Sequence, residues 1–314
     1  MKSRLRKDNG RQLALAPLDE ALSPQKRMQA AMTLSELVMR MVTYVVCHTI
    51  VDHRDLLGDE RLSVAHGFLQ RVATTHLCNQ KLTAEGIVYE YDGQQFELHE
   101  QYKTMTLTRS VYEHLAMFFF LFEHPRTPME REVVWKYWQI GSKKNFLDYG
   151  SDTSAMARKS RGEVVAEIER LRSEMLSATT DAQCREKLDC WTRIGSPTYG
   201  GSIEFVSKGA RRDVRRVSYS QAWRYLFGDE AMTLFYPHLS MHCHPVYDGL
   251  LQYQNQTDSD RGHDAIPLFF SCCFASQLCR LFLRQLPEGE AMLRRGFSEH
   301  DRQVFATLAT LRRL

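Results

Sequence analysis

The chain has 314 residues, of which 43% are hydrophobic and 11% aromatic, enough to fill a large core and too many for a disordered or fibrous chain. Its 41 Lys+Arg against 38 Asp+Glu give a formal charge of +3, which excludes a globally basic nucleic-acid binder; any basic surface has to be local. The eight cysteines form no CxxC pair and lie mostly in apolar helical patterns, where a thiol acts as a small hydrophobe, so free buried thiols and a reducing, cytoplasmic setting are expected.

Residues 1–23 carry Lys2, Arg4, Arg6, Lys7 and Arg11 and read as a mobile basic tail without the apolar core of a secretory signal. Ser23-Pro24 then caps a long helix in which Met28, Met32, Leu34, Val38, Met41 and Val45 recur at helical spacing. A second helix starts at Asp59 or Glu60 and runs through Phe68, Leu69 and Val72 to Leu82. From Gly86 to Leu98 the period changes to that of strands around Asp92-Gly93, which predicts a small β-hairpin.

The stretch from His99 to Glu123 reads as a central helix, polar at first and continuously apolar from Leu115 to Phe122. That run is far shorter than the roughly 20 residues a bilayer span needs, so no membrane segment is expected. A helix over 129–149 offers Val133, Trp135, Tyr137, Trp138, Ile140 and Phe146 for burial, and a mixed-charge helix follows from Asp152 to Leu176. A short helix from Cys184 to Ile194 leads into a Gly- and Ser-rich stretch to Ser218 that reads as an exposed crossover loop.

Two short helices, Ser218–Phe227 and Asp229–His242, precede a polar turn region. A long helix then runs from about Asp264 to Leu286, and Ser298 caps the last one. With no repeat and no linker-like tract, the expected fold is mainly α: a single helical-bundle domain over 24–314 with a β-hairpin insertion near 86–98.

Three groups of residues carry candidate chemistry. Arg109, Glu113 and His114 sit where the central helix turns apolar, and a cation at the edge of a core must be paired or face a cleft. Arg109 and Glu113, at i and i+4, share a helix face and read as an ion pair; Arg109 and His114 lie about 140° apart around it. The second group is Tyr236 to Pro245, with His238, His242 and His244. His238 and His242 at i, i+4 are an alternative metal pair, to which the adjacent His263-Asp264 adds the dipeptide used by helical HD phosphohydrolases. The third is Lys208, Arg211, Arg212, Arg215 and Arg216, clustered cations that can engage RNA phosphates. There is no GxxxxGKS, GxSxG or HExxH, and no cofactor is expected.

The R-x4-H string from Arg109 to His114 resembles the signature of HEPN ribonucleases, a likeness that covers one helix. It implies metal-independent RNA cleavage: histidine shuttles the proton of a ribose 2′-hydroxyl while arginine clamps the phosphate. Arg109-Ser110 with Glu113, and Tyr236 with Leu239, Ser240, His244 and Pro245, together resemble a bacterial all-helical domain-of-unknown-function family sometimes found in abortive-infection settings. Trp191 to Gly201 looks like the loop that joins these segments in that family, and the likeness spans roughly residues 100–250. It implies that Arg109, Glu113, Ser240 and His244 meet in space.

Three functional expectations follow. One is a phosphodiester- or RNA-directed effector of a prokaryotic defence system, acting through Arg109 with His114 or His244. Another is a non-catalytic interaction protein with a structural Arg/Glu/His clasp, and the last is a metal-dependent phosphohydrolase. The expected partners are RNA, a second copy of the chain or a defence-system protein.

Overall fold

Ser23 accepts a hydrogen bond from the backbone N–H of Lys26 and Pro24 occupies the first helical position, so helix α1 (Pro24–Asp52) begins where the sequence predicts. Its buried residues include Ala31, Leu34, Ser35, Val38, Met41, Val42, Val45 and Thr49, a stripe at helical spacing. After a 3-10 turn (Arg54–Gly58), the Asp59 carboxylate caps helix α2 (Glu60–Glu85) through the N–H of Leu62. The buried face of α2 runs through Ala65, Leu69 and Val72 and then continues with His76 and Asn79.

The computed structural model describes residues 10–85, 87–98, 101–149, 154–197, 201–208, 211–228, 235–241 and 265–310. It is mainly α with two small antiparallel hairpins. In the first, β1 (Ile87–Tyr91) pairs with β2 (Gln94–Leu98), Tyr91 opposite Gln94. The turn needs two positive φ angles, and Asp92 (φ 53°) and Gly93 (φ 72°) supply them at low steric cost.

The remaining elements follow in order. Helix α3 (Gln101–Phe118) ends in a π turn (Phe119–Glu123) and is followed by α4 (Pro128–Tyr149), α5 (Ala155–Ala178) and α6 (Ala182–Thr192). Strands β3 (Ser202–Lys208) and β4 (Arg211–Val217) come next, and then α7 (Tyr219–Leu226) and α8 (Phe235–Met241). Helices α9 (Ala265–Leu283), α10 (Gly289–Gly296) and α11 (Glu299–Leu308) close the described chain.

By contact density the chain divides into two compact units, residues 1–116 with 223–314, and residues 117–222. The absence of a linker predicts one domain. Composition carries no mark of the division because its boundaries fall inside continuous helices, α3 and α7.

In the first unit α9 packs against both α1 and α2, which also pack on each other, and α10 and α11 add to α1. Almost every side chain of α9 is buried, so this helix, rather than the expected central helix over 99–123, is the most enclosed element. By length and composition alone α1 and α9 are apolar enough to cross a membrane; 83% of the most apolar window of α9 is buried within the protein and 44% of that of α1. Gly289 opens α10 where a Cβ would collide with the carbonyl oxygen of Leu283, so only glycine permits that backbone approach.

The N-terminal segment departs from the expected tail. Residues 10–15 are helical, Ala16–Leu18 form a 3-10 turn, and Ala14 and Pro17 are buried, which gives this segment apolar contacts of its own. Residues 1–9 lie outside the described residues.

In the second unit α4 packs on α5 and on β3, and α6 packs on β4. The sequence Thr127-Pro128-Met129-Glu130 is a capping box. The Thr127 hydroxyl accepts from the N–H of Glu130, whose carboxylate accepts from the N–H groups of Thr127 and Arg126. Phe146, expected in the core, is exposed at the end of α4.

The expected crossover loop is a correction: residues 202–208 and 211–217 pair as two antiparallel strands of seven residues each, Ser202 opposite Val217 and Lys208 opposite Arg211. Both faces are partly covered, Ile203 and Val214 on one and Glu204 on the other, so the sequence shows no clean alternation of polar and apolar residues.

Candidate functional site

Helix α3 buries Thr104, Met105, Thr108, Val111, Tyr112, Leu115 and Ala116, a stripe that leaves Arg109 and Glu113 beside the core rather than within it. Arg109 Nε donates to Glu113 Oε1 at 2.7 Å, the i, i+4 pair that the spacing predicts. Tyr236 of α8 donates its hydroxyl to the same Oε1 at 2.9 Å, and the Arg109 guanidinium carbon lies 5.5 Å from the centre of the Tyr236 ring. One carboxylate oxygen thus takes two donors, and the cation that neutralises it is covered by an aromatic face.

The Tyr236 ring lies 5.2 Å from that of Tyr112, which is itself 5.3 Å from Trp223 and 5.4 Å from Phe274. This aromatic packing brings α8 to α3. Burial first, and then the negative charge of Glu113, push the Tyr236 phenol well above its ordinary range, so it stays protonated and remains a donor.

His114 takes no part in this arrangement. Its Nδ1 donates to the Ser110 carbonyl oxygen at 2.7 Å and its ring meets Phe68 of α2 edge-on at 5.9 Å. Five helical residues rotate the chain by about 140°, which turns His114 away from the face that carries Arg109. Ser240 lies one turn beyond Tyr236 on α8 and is half-buried, while His238 is exposed. His242, His244, His263 and Asp264 lie outside the described residues. Among the described residues no group of three His, Cys, Asp or Glu could hold a metal ion.

The arginine cluster is divided by the pleat of β4 instead of being spread over a solvated loop. Arg212 pairs with Glu130 and lies over the Phe205 ring; Arg216, on the same face, lies over the Trp191 ring with its guanidinium carbon 4.9 Å from the centre. On the other face Arg215 pairs with Glu204, a nearly sealed carboxylate whose second oxygen meets His124 Nε2 at 3.3 Å. Lys208 and Arg211 face each other in backbone register as the pair where the two strands are closest in sequence. Arg212 and Arg215 are thus occupied by carboxylates of their own unit.

A polar seam in the first unit has no counterpart in the sequence-based expectations. His76, fully buried, has Ser35 Oγ of α1 at 3.1 Å from Nε2 and Ser271 Oγ of α9 at 2.7 Å from Nδ1. A neutral imidazole has one donor and one acceptor, so one serine donates and the other accepts. Burial pushes the His76 pKa down to about 4. One turn along, Asn79 donates to Thr108 Oγ1 and Thr108 to the Pro267 carbonyl oxygen, both at 2.9 Å. The signal in the sequence is the apolar stripe of α2, which His76 and Asn79 continue at positions where leucine would be expected.

The seven described cysteines are free, four of them buried; burial pushes Cys184 up to about 11, and its thiol faces the Arg212 carbonyl oxygen at 3.6 Å. Compared with family models, with curated proteins and with solved structures, the chain finds no match.

Proposed function

We propose that this chain is a non-catalytic helical interaction protein in which Arg109, Glu113 and Tyr236 form a polar clasp that sets the position of α8 on α3. The observation that carries this reading is that Glu113 Oε1 accepts from both Arg109 Nε and Tyr236 OH, with the guanidinium lying over the tyrosine ring. A carboxylate so engaged is committed to holding two helices together. The histidine that would complete the R-x4-H pair is turned to the Ser110 carbonyl. Four buried free thiols fit a reducing compartment, and the cytoplasm is the proposed location.

The phosphodiester-directed reading is the second proposal. It is favoured by the openness of the clasp, since the Arg109 and Glu113 side chains keep 22% and 28% of their exposure where His76 keeps none. Incubating total RNA with the purified chain and with Arg109→Ala separates the two. RNA left intact by both proteins, together with a lower stability of the variant, supports the clasp. Cleavage by the parent chain that Arg109→Ala abolishes would overturn it in favour of the nuclease.

A further inference from the structure

Thr33, Glu36, Leu37 and Arg40 lie at i, i+3, i+4 and i+7 on α1, and this face lines a cavity of about 620 Å³ bordered on another side by α11. The volume is that of a small-molecule site. Its floor is aliphatic: Leu34 and Val304 are fully buried and Leu37 nearly so.

The charged rim is arranged unusually. Glutamate four residues ahead of arginine is the order that pairs best along a helix, yet Glu36 and Arg40 form no ion pair, and among the described residues neither has a hydrogen-bond partner. Asp301 is engaged differently, its carboxylate accepting from the Ser298 hydroxyl at 2.8 Å as part of the α11 cap. Glu36 and Arg40 thus stand a helical turn apart above an apolar floor, with His300 and the capped Asp301 carboxylate of α11 also lining the cavity. A simple anion on Arg40 would face the Glu36 carboxylate, and a simple amine on Glu36 would face the guanidinium. A molecule that carries both charges on one end satisfies both side chains.

We propose that this cavity binds a small zwitterion with an apolar side chain, an α-amino acid or its close analogue, with the carboxylate on Arg40, the ammonium on Glu36 and the side chain against Leu34, Leu37 and Val304. The site is separate from the Arg109 clasp and does not rest on it.

The test is isothermal titration calorimetry of the full chain with L-leucine, L-methionine and L-phenylalanine, and with isocaproate and isoamylamine as carboxylate-only and amine-only counterparts of leucine. At least one amino acid is expected to bind. Its affinity should fall by about tenfold or more in Arg40→Met and in Glu36→Gln, the scale of one lost charge-assisted contact, and both counterparts of leucine should bind more weakly than leucine. Both variants alter exposed side chains, so unchanged melting temperatures show that the fold survives. Absence of binding by all three amino acids at millimolar concentration overturns the proposal, as does equal binding of leucine and its two counterparts, or affinity that Arg40→Met leaves unchanged.

Discussion

Tyr236 and Arg109 share a single oxygen of Glu113, at 2.9 and 2.7 Å, and that oxygen is the point at which α8 is fastened to α3. Tyr236→Phe removes one donor while keeping the ring that packs on Tyr112. The expected loss is about 1–2 kcal/mol, the usual scale for a hydrogen bond to a charged group in a part-buried site. Arg109→Ala should cost a similar amount, and the double variant less than the sum, because both act on one carboxylate. Urea denaturation of the three variants measures this. Full additivity would show that the two contacts are independent and the clasp is not a unit.

His76 gives the first unit a dependence on pH. In the unfolded chain its imidazole titrates near the ordinary 6.5, and in the fold burial holds it down to about 4. Between these values the unfolded chain binds more protons, so stability rises with pH across this window. The contribution is complete above about pH 6.5 and is lost as pH falls through the folded value, on the order of 3 kcal/mol in all. Denaturation midpoints at neutral pH and near pH 4.5 should differ in the parent chain and differ less in His76→Gln. An equal pH dependence in both proteins would remove His76 from the account.

Glu204 is 3% exposed and holds Arg215 and His124 on its two oxygens. Arg215→Ala leaves that carboxylate with one fewer donor inside the second unit. The expected cost is about 1–2 kcal/mol at neutral pH, toward the low end because the arginine itself is well exposed. Urea denaturation of the parent chain and the variant measures this cost. An unchanged stability would mean that the Arg215–Glu204 pair adds nothing to the second unit.

The sequence by itself determined where most helices begin and end and where the first hairpin turns. Ser23, Ser298 and Asp92-Gly93 act on backbone groups a few residues away, and those interactions need no tertiary contact. The Arg109–Glu113 pair was legible for the same reason, as an i, i+4 contact on one helix.

Only the tertiary structure decided which distant groups meet: Tyr236 with Glu113, Ser35 and Ser271 with His76, and Glu204 with His124. It also turned the arginine-rich stretch into a strand whose cations are divided between two faces, an arrangement hidden because both faces are covered. Long-range pairing of polar side chains imposes no period on the sequence. Each such residue looks like a solvated one until packing removes water from around it, and then its partners are fixed by the free-energy cost of leaving a buried polar group unsatisfied.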